Sequence, residues 1–290
     1  MSFLCLIANP AEPALTPRLV EAIHREIGGE INWLAQPIAC EIAGPKSTDP
    51  VGIARTLVGA EPIDVALVPA AHRRKKLLIA DMDSTMIEQE CIDELADALG
   101  IKAEVADITA RAMRGELDFE GALKTRVQLL RGLERKAMEE VRRERITLAP
   151  GGRALVQTMR THGAYTALVS GGFTYFAEHF AKRIGFDEFM ANVLDFDGDR
   201  LTGTVAPPII GRTAKLNRLT TLAEEMGLQP DQTMAVGDGA NDLDMIRAAG
   251  MGVALHAKPA VAAEAHVRID HGDLTALLYL QGYSENEFIR

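Results

Sequence analysis

Short, largely apolar runs that end in polar or glycine residues recur along the last three quarters of the chain, at 77–80, 165–169 and 233–236. Such runs are typical of strands buried on both faces of a parallel sheet. Between the second and third runs, Leu216, Leu219 and Ala223 recur at helical spacing. The pattern predicts an α/β domain with a doubly wound parallel sheet. In that architecture the ligand site lies beyond the carboxyl ends of the strands.

Residues 1–72 alternate differently and predict a small α+β domain of βαββαβ order. Helical apolar faces lie near Val20 and Ala54, and Thr16 before Pro17 is a typical helix start. The predicted strands are 3–8, 31–35, 38–42 and 63–68.

An inserted segment, 92–146, separates the first and second core strands and carries three apolar stripes at helical spacing. Such stripes are typical of helices that pack in a core. The stripes are Ile92, Leu95, Ala96 and Leu99, then Val105, Ile108 and Ala112, then Phe119, Leu123, Val127 and Leu130. We therefore predict a domain over 77–290, with a core of 77–91 and 147–290 and a helical insert at 92–146. Its last elements are predicted as strands 251–255 and 267–269 and a helix 274–280.

Polar residues follow each core strand. Asp81 and Asp83 end the first strand, Ser170 and a glycine-rich turn end the second, and Asp238 and Asp242 follow the third. Alone, the pair Asp81 and Asp83 could be a polar strand end or a helix cap. An ionised carboxylate could instead attack phosphorus or bind a cation without a base to activate it. Together the groups favour phosphoryl transfer, which needs a nucleophile, donors for the phosphate oxygens and a divalent cation.

This set of motifs resembles the haloacid dehalogenase superfamily, and within it the phosphoserine phosphatases. The resemblance covers about residues 76–290, and it extends to the insert. It is carried by the segments 81–95, 113–119, 126–130, 169–173 and 236–242.

The resemblance implies roles for the acidic residues. Asp81 is expected to be the nucleophile that forms an aspartyl-phosphate, and Asp83 to protonate the leaving oxygen and then activate water. Mg²⁺ is expected to be held by Asp81, Asp238 and the backbone carbonyl of Asp83, with Asp242 supporting this metal shell.

For the substrate O-phospho-L-serine, the resemblance implies both phosphate ligands and amino-acid ligands. Ser170, the backbone near Gly171, Lys215 and Asn241 are expected to bind the phosphate. Glu90 is expected to bind the ammonium group and Arg126 the carboxylate, while Met113 and Phe119 close the pocket. A lysine is needed because an anionic nucleophile and a phosphate dianion repel each other.

Composition agrees with a globular protein of two domains. The chain has 290 residues, of which 47% are hydrophobic and 25% charged. Its net charge of −10 argues against nucleic acid as a partner. Cys5, Cys40 and Cys91 are too few and too scattered for a disulfide framework. With no signal peptide and no apolar run of membrane-spanning length, we expect a cytoplasmic enzyme without a membrane partner.

Two other kinds of site are excluded for the segment that begins at Asp238. The segment after Asp238 lacks the glycine and the glutamate of a calcium loop, and Asp242 stands where a dinucleotide fingerprint needs its third glycine. Two alternative functions remain. One is a superfamily member that acts on another small phosphate ester or transfers phosphate to an alcohol, and the other is a serine sensor with an inert core.

The sensor alternative depends on the N-terminal segment, whose βαββαβ order resembles the ACT domain. ACT domains that bind amino acids usually have a glycine-rich turn after the first strand, where this chain has the residues 9–13, Asn-Pro-Ala-Glu-Pro. A structural role or homodimer formation is therefore at least as well supported for this domain as sensing.

Overall fold

A computed structural model describes residues 1–113 and 116–290, with only the backbone of Ala112 and Met113. The predicted substrate contact of the Met113 side chain therefore lies outside the described residues. Within the described part of the chain, no helix is both long and apolar enough to cross a membrane.

The N-terminal segment forms a four-stranded antiparallel sheet in the order β2-β3-β1-β4. Thr16 caps the first helix as predicted, because its side chain accepts a hydrogen bond from the backbone of Leu19 and Pro17 occupies the first turn. The elements are β1 (Ser2–Ala8), α1 (Pro17–Ile27), β2 (Glu30–Ala35), β3 (Ala39–Ala43), α2 (Pro50–Val58) and β4 (Ile63–Pro69).

The two faces of this sheet are buried against different partners. Side chains such as Leu4 and Leu6 form a core with α1 and α2. The alternate side chains, such as Cys5 and Ile7, belong to the main core of the molecule. Because side chains of a strand alternate between faces, one short strand, β1, joins the two cores.

Four helices follow the central strand β5 (Leu77–Ala80). They cover the region in which the apolar stripes predicted a helical insert. The helices are α3 (Cys91–Ala98), α4 (Lys102–Met113), α5 (Phe119–Leu129) and α6 (Arg135–Glu144).

The remaining elements complete a seven-stranded sheet in the order β11-β10-β9-β5-β6-β7-β8. Its neighbouring strands are parallel except for the final β7–β8 hairpin, which the sequence did not predict. The doubly wound α/β architecture is confirmed, as are the bounds of both last strands. The elements are α7 (Gly152–Thr161), β6 (Tyr165–Phe173), α8 (Thr174–Ile184), β7 (Glu188–Asp197), β8 (Arg200–Ala206), α9 (Arg212–Glu225), β9 (Thr233–Gly237), α10 (Leu243–Ala248), β10 (Met251–Leu255), α11 (Pro259–Ala262), β11 (Val267–Ile269) and α12 (Ala276–Leu280).

The predicted glycine-rich turn after residue 169 was wrong. Strand β6 continues through Ser170 and both glycines to Phe173, which pairs with Asn192 of β7 across an irregular register. The side-chain amide of Asn192 donates to the carbonyl of Gly171 at 2.9 Å. This bond keeps the chain extended where local composition favoured a turn.

Candidate active site

Asp81 lies at the carboxyl end of β5, which pairs with β6 on one side and β9 on the other. The residue is 5% exposed. Lys215, which is fully buried in α9, places its Nζ 2.7 Å from Asp81 Oδ1 and 2.6 Å from Asp242 Oδ1. These two carboxylates raise the pKa of Lys215 despite its burial, so the lysine stays charged.

Three carboxylates converge at this point. Oxygens of Asp81, Asp238 and Asp242 lie within 4.8 Å of one another. Burial, and then the charge of Asp81, raise the pKa of Asp238 to about 7. Lys215 offsets one of the three negative charges, so the cluster retains an excess that a divalent cation would balance. An all-oxygen donor set suits a hard cation such as Mg²⁺.

Asp242 is the member of this cluster that is bonded to the protein through both of its oxygens. One of its oxygens meets Lys215, and the other accepts the backbone N–H of Gly239 at 3.0 Å. With both oxygens engaged by the protein, Asp242 is suited to hold Lys215 and the loop after β9 rather than to contact a ligand directly.

Asp83 lies where it could exchange a proton with a substrate. Its Oδ1 accepts the backbone N–H of Cys91, and a Cβ on Gly172 would stand 2.5 Å from its Oδ2. Burial first, then the charges of Glu90 and Asp81, raise the pKa of Asp83 well above its usual range. Burial, rather than a neighbouring carboxylate, makes the largest contribution to this shift.

Ser170 is fully buried beside the cluster. Its Oγ accepts the backbone N–H of Gly172 at 2.9 Å, which leaves the hydroxyl proton to donate elsewhere. The cavity that opens over the cluster is lined by Gly171 and Gly172 but not by Ser170, Lys215 or Asp242. The side chains of Ser170 and Lys215 thus lie behind the cavity wall.

A cavity of about 520 Å³ opens over these groups, between the sheet and the helical insert. Its lining includes Asp81, Asp83, Asp238 and Asn241 from the strand ends, together with Glu90, which precedes the first insert helix, and Phe119 and Arg126 from the third. The fold therefore brings the acidic residues at the strand ends and the predicted amino-acid ligands into one cavity.

Phe119 closes the insert onto the core. A Cβ on Gly171 would lie 3.3 Å from the ring, and a Cβ on Gly211 would lie 3.0 Å from it. A side chain at either glycine would therefore crowd the ring, and the absence of a Cβ at both positions leaves room for it. This contact fits the predicted role of Phe119 in closing the pocket.

Glu90 and Arg126 present opposite charges to the cavity. Ser84 Oγ donates to Glu90 Oε1 at 2.8 Å, and partial removal from water raises the pKa of Glu90. Arg126 donates from Nη1 to Thr109 Oγ1 at 3.5 Å, and its burial lowers its pKa. In the described part of the chain these two groups bond to other partners, because the carboxylate of Glu90 accepts from Ser84 while Arg126 donates to Ala122 and Thr109. Both remain available to a zwitterion.

Three residues with contacts at the site escaped the sequence analysis. Ser84 holds Glu90 from a left-handed conformation with φ of 54°. Asn192 fixes Gly171, and Lys258 adds a cation to the cavity lining. Ser84 lies inside the first motif and could have been found there. Asn192 and Lys258 offered no local signal, because a single polar residue in a loop or strand is usually a surface residue.

Comparisons with known proteins show what this chain is similar to. The family model of haloacid dehalogenase-like hydrolases matches residues 78–247. A phosphoserine phosphatase of Streptomyces coelicolor is 43% identical over 243 residues, which are 83% of this chain and 59% of that protein. The chain thus spans about three fifths of that relative's length.

Two further matches cover more of the compared protein. A phosphoserine phosphatase of a Polaromonas species is 45% identical over 210 residues, which are 71% of this chain and 89% of that protein. The solved structure of a probable phosphoserine phosphatase from Vibrio cholerae, in its unliganded form, matches with a TM-score of 0.81 at 32% identity. That match covers 99% of this chain and 88% of that one, so it includes the N-terminal sheet.

Proposed function

The chain belongs to the haloacid dehalogenase-like hydrolases, in the phosphoserine phosphatase family, and we propose that it hydrolyses O-phospho-L-serine to L-serine and phosphate. This reaction is the last step of serine biosynthesis. One observation carries the proposal: Asp81 and Asp83 share a cavity with Glu90 and Arg126. A phosphate-reactive end and a zwitterion-binding end thus face the same substrate-sized space.

The carboxylate of Asp81 is the proposed nucleophile. Its attack on phosphorus breaks the bond to the serine oxygen and forms an aspartyl-phosphate. Asp83 gives its proton to the departing oxygen, a task for which its raised pKa is suited. Asp83 then takes a proton from the water that attacks the aspartyl-phosphate, which releases phosphate and restores both carboxyl groups.

Mg²⁺ is the proposed cofactor. The carboxylates of Asp81 and Asp238 and the backbone carbonyl of Asp83 would hold it, with Asp242 behind them. When bound, the cation offsets the negative charge that builds up on the transferring phosphoryl group. Lys215 contributes a second fixed positive charge, which lies 2.7 Å from the attacking carboxylate.

Substrate choice is assigned to the insert. Arg126 carries a planar guanidinium that can grip a carboxylate through two parallel hydrogen bonds. Glu90 is the proposed ligand of the ammonium group, and Ser84 orients its carboxylate. Phe119 excludes water by closing the insert on the core, and Met113 remains a predicted contact.

The proposed location is the reducing cytoplasm. The three cysteines are buried free thiols in the described chain, as expected where disulfides are rare.

The proposal is tested by phosphate release from a panel of substrates. With Mg²⁺ present, we expect turnover of L-phosphoserine to exceed that of phosphothreonine, phosphoethanolamine and sugar phosphates. Faster turnover of a sugar phosphate would identify a different phosphatase of the superfamily. No release from any ester, together with tight serine binding, would favour the sensor alternative.

A further inference from the structure

Asp64, in the N-terminal sheet, is buried in a backbone loop of the catalytic domain. It lies on β4, is 4% exposed, and accepts backbone N–H groups at 2.8 Å from Asp270 and 2.7 Å from Gly272. His271 also donates its N–H to this carboxylate. Asn9 donates to the carbonyl of His271 at 2.9 Å. Two residues of the N-terminal domain therefore shape the loop 270–272.

The same loop holds the segment that follows β10. The carbonyl of Gly272 lies 2.8 Å from His256 Nε2, and this ring nitrogen must donate because a carbonyl oxygen can only accept. The backbone N–H of His256 donates to Ile269 at 2.8 Å. His256 has a φ of 45°, in the left-handed region that few residues other than glycine adopt, and histidine is one of those that adopt it most often.

The segment after His256 forms part of the cavity wall. Lys258, Ala260 and Val261 line the cavity, and the carbonyl of Lys258 accepts the N–H of Val261 at 2.9 Å. The side chain of Lys258 is exposed at the cavity. A cation in this position attracts an anionic ester.

We propose that Asp64 is a positioning residue for the active site. Through Gly272 and His256 it sets the wall that presents Lys258 to the substrate. A domain in which we place no catalytic group would thereby contribute to substrate binding. The kinetic part of this inference rests on the proposed phosphatase function, whereas its structural part does not.

The chain offers a matched control in a second buried contact between the two domains. Glu41 of β3 meets Arg73 at 2.5 Å, and Arg73 also donates to the carbonyl of Leu280 at 2.8 Å. This contact leads to α12 rather than to the cavity wall. Glu41→Gln therefore weakens the domain contact without touching the path from Asp64 to Lys258.

The test compares full-length Asp64→Asn and Glu41→Gln with the unmodified protein by amide hydrogen exchange and by kinetics. An asparagine keeps the size of Asp64 but removes the charge and one acceptor. We expect exchange in 256–262 to rise about two- to thirty-fold in Asp64→Asn, with a comparable rise in KM for L-phosphoserine and little change in kcat. Glu41→Gln should leave both quantities unchanged.

His256→Asn is the second variant, and it keeps the test decisive if Asp64→Asn folds poorly. Asparagine tolerates the left-handed backbone of His256 but is too short to reach Gly272. Amide hydrogen exchange of residues 256–262 should also rise in His256→Asn. Unchanged exchange in both variants, or an equal rise in Glu41→Gln, would overturn the inference. Hydrogen exchange needs no substrate. If the unmodified protein did not turn over L-phosphoserine, that result would therefore count against the proposed function and not against the connection from Asp64 to Lys258.

Discussion

Replacement of Arg126 by alanine tests whether this chain recognises the carboxylate of its substrate. The guanidinium is half-buried in the cavity wall. Its bonds to the carbonyl of Ala122, at 3.3 Å, and to Thr109, at 3.5 Å, are at the long limit for hydrogen bonds. The guanidinium of Arg126 can therefore turn its N–H groups to a ligand with little loss of hydrogen-bond energy.

The expected loss follows from this environment. Truncation of one partner in a buried, hydrogen-bonded charge pair typically costs about 2–5 kcal/mol. Because Arg126 keeps some contact with solvent, we expect the lower part of that range, about 2–3 kcal/mol. Since about 1.4 kcal/mol corresponds to a factor of ten, kcat/KM for L-phosphoserine should fall about 30- to 150-fold.

The assay measures kcat/KM for L-phosphoserine and for phosphoethanolamine, which lacks the carboxylate. Phosphoethanolamine should be nearly indifferent to Arg126→Ala, because the lost contact never formed with it. Arg126→Lys should recover only part of the loss, since an ammonium keeps the charge but not the two parallel bonds.

Lys124→Ala is the matched control for this experiment. Lys124 lies in the same helix α5, is 59% exposed and pairs with Glu120. The substitution removes one positive charge from the solvent side of that helix, so kcat/KM for both substrates should be unchanged. An equal loss on both substrates in Arg126→Ala would mean that the arginine is structural, and the assignment of substrate specificity would be refuted.

The remaining predictions concern the nucleophile, the ammonium ligand and the cation. Asp81→Asn should abolish turnover and the base-labile phosphoenzyme that rapid quenching traps in the unmodified protein; turnover that persists without deamidation would exclude Asp81 as nucleophile. Glu90→Gln should reduce kcat/KM for both phosphoserine and phosphoethanolamine, because both carry the ammonium group; a loss on phosphoserine alone would contradict that role. Metal-free protein should lose thermal stability as pH rises from about 4 to about 7. The reason is that Asp238, with a pKa of about 7, binds its proton more tightly in the folded state than in the unfolded state. Mg²⁺ should reverse this loss and release protons near pH 7, as calorimetry in two buffers can measure; binding without proton release would place the cation elsewhere.

Much of the candidate site could be predicted because its parts follow strands directly. Asp81 and Asp83 come at the end of a buried run, and the carboxyl ends of parallel strands converge at one edge of the sheet. Because these carboxylates directly follow a strand in the sequence, their place at the edge of the sheet could be predicted without knowledge of tertiary contacts. Arg126 is different. It is one arginine among several on helices of the insert, and only the resemblance to a family selected it.

Local pattern failed where a distant contact decided the conformation. The glycines after Ser170 predicted a turn, yet the buried amide of Asn192 holds that backbone extended. The hairpin of β7 and β8 was missed as well. Strand β7 carries mixed exposed and buried positions rather than a clean alternation, and β8 is the edge strand of the sheet.

The sequence by itself determined the architecture and the order of chemical groups, because periodic burial and strand-end polarity are local properties of a chain. Only the tertiary structure decided which charges meet. Lys215 lies between Asp81 and Asp242, residues that are 134 and 27 positions away. Asp64 reaches a loop 206 residues later. Such pairs are set by the packing of whole elements, and the free energy of a buried charge depends on partners that no local window contains.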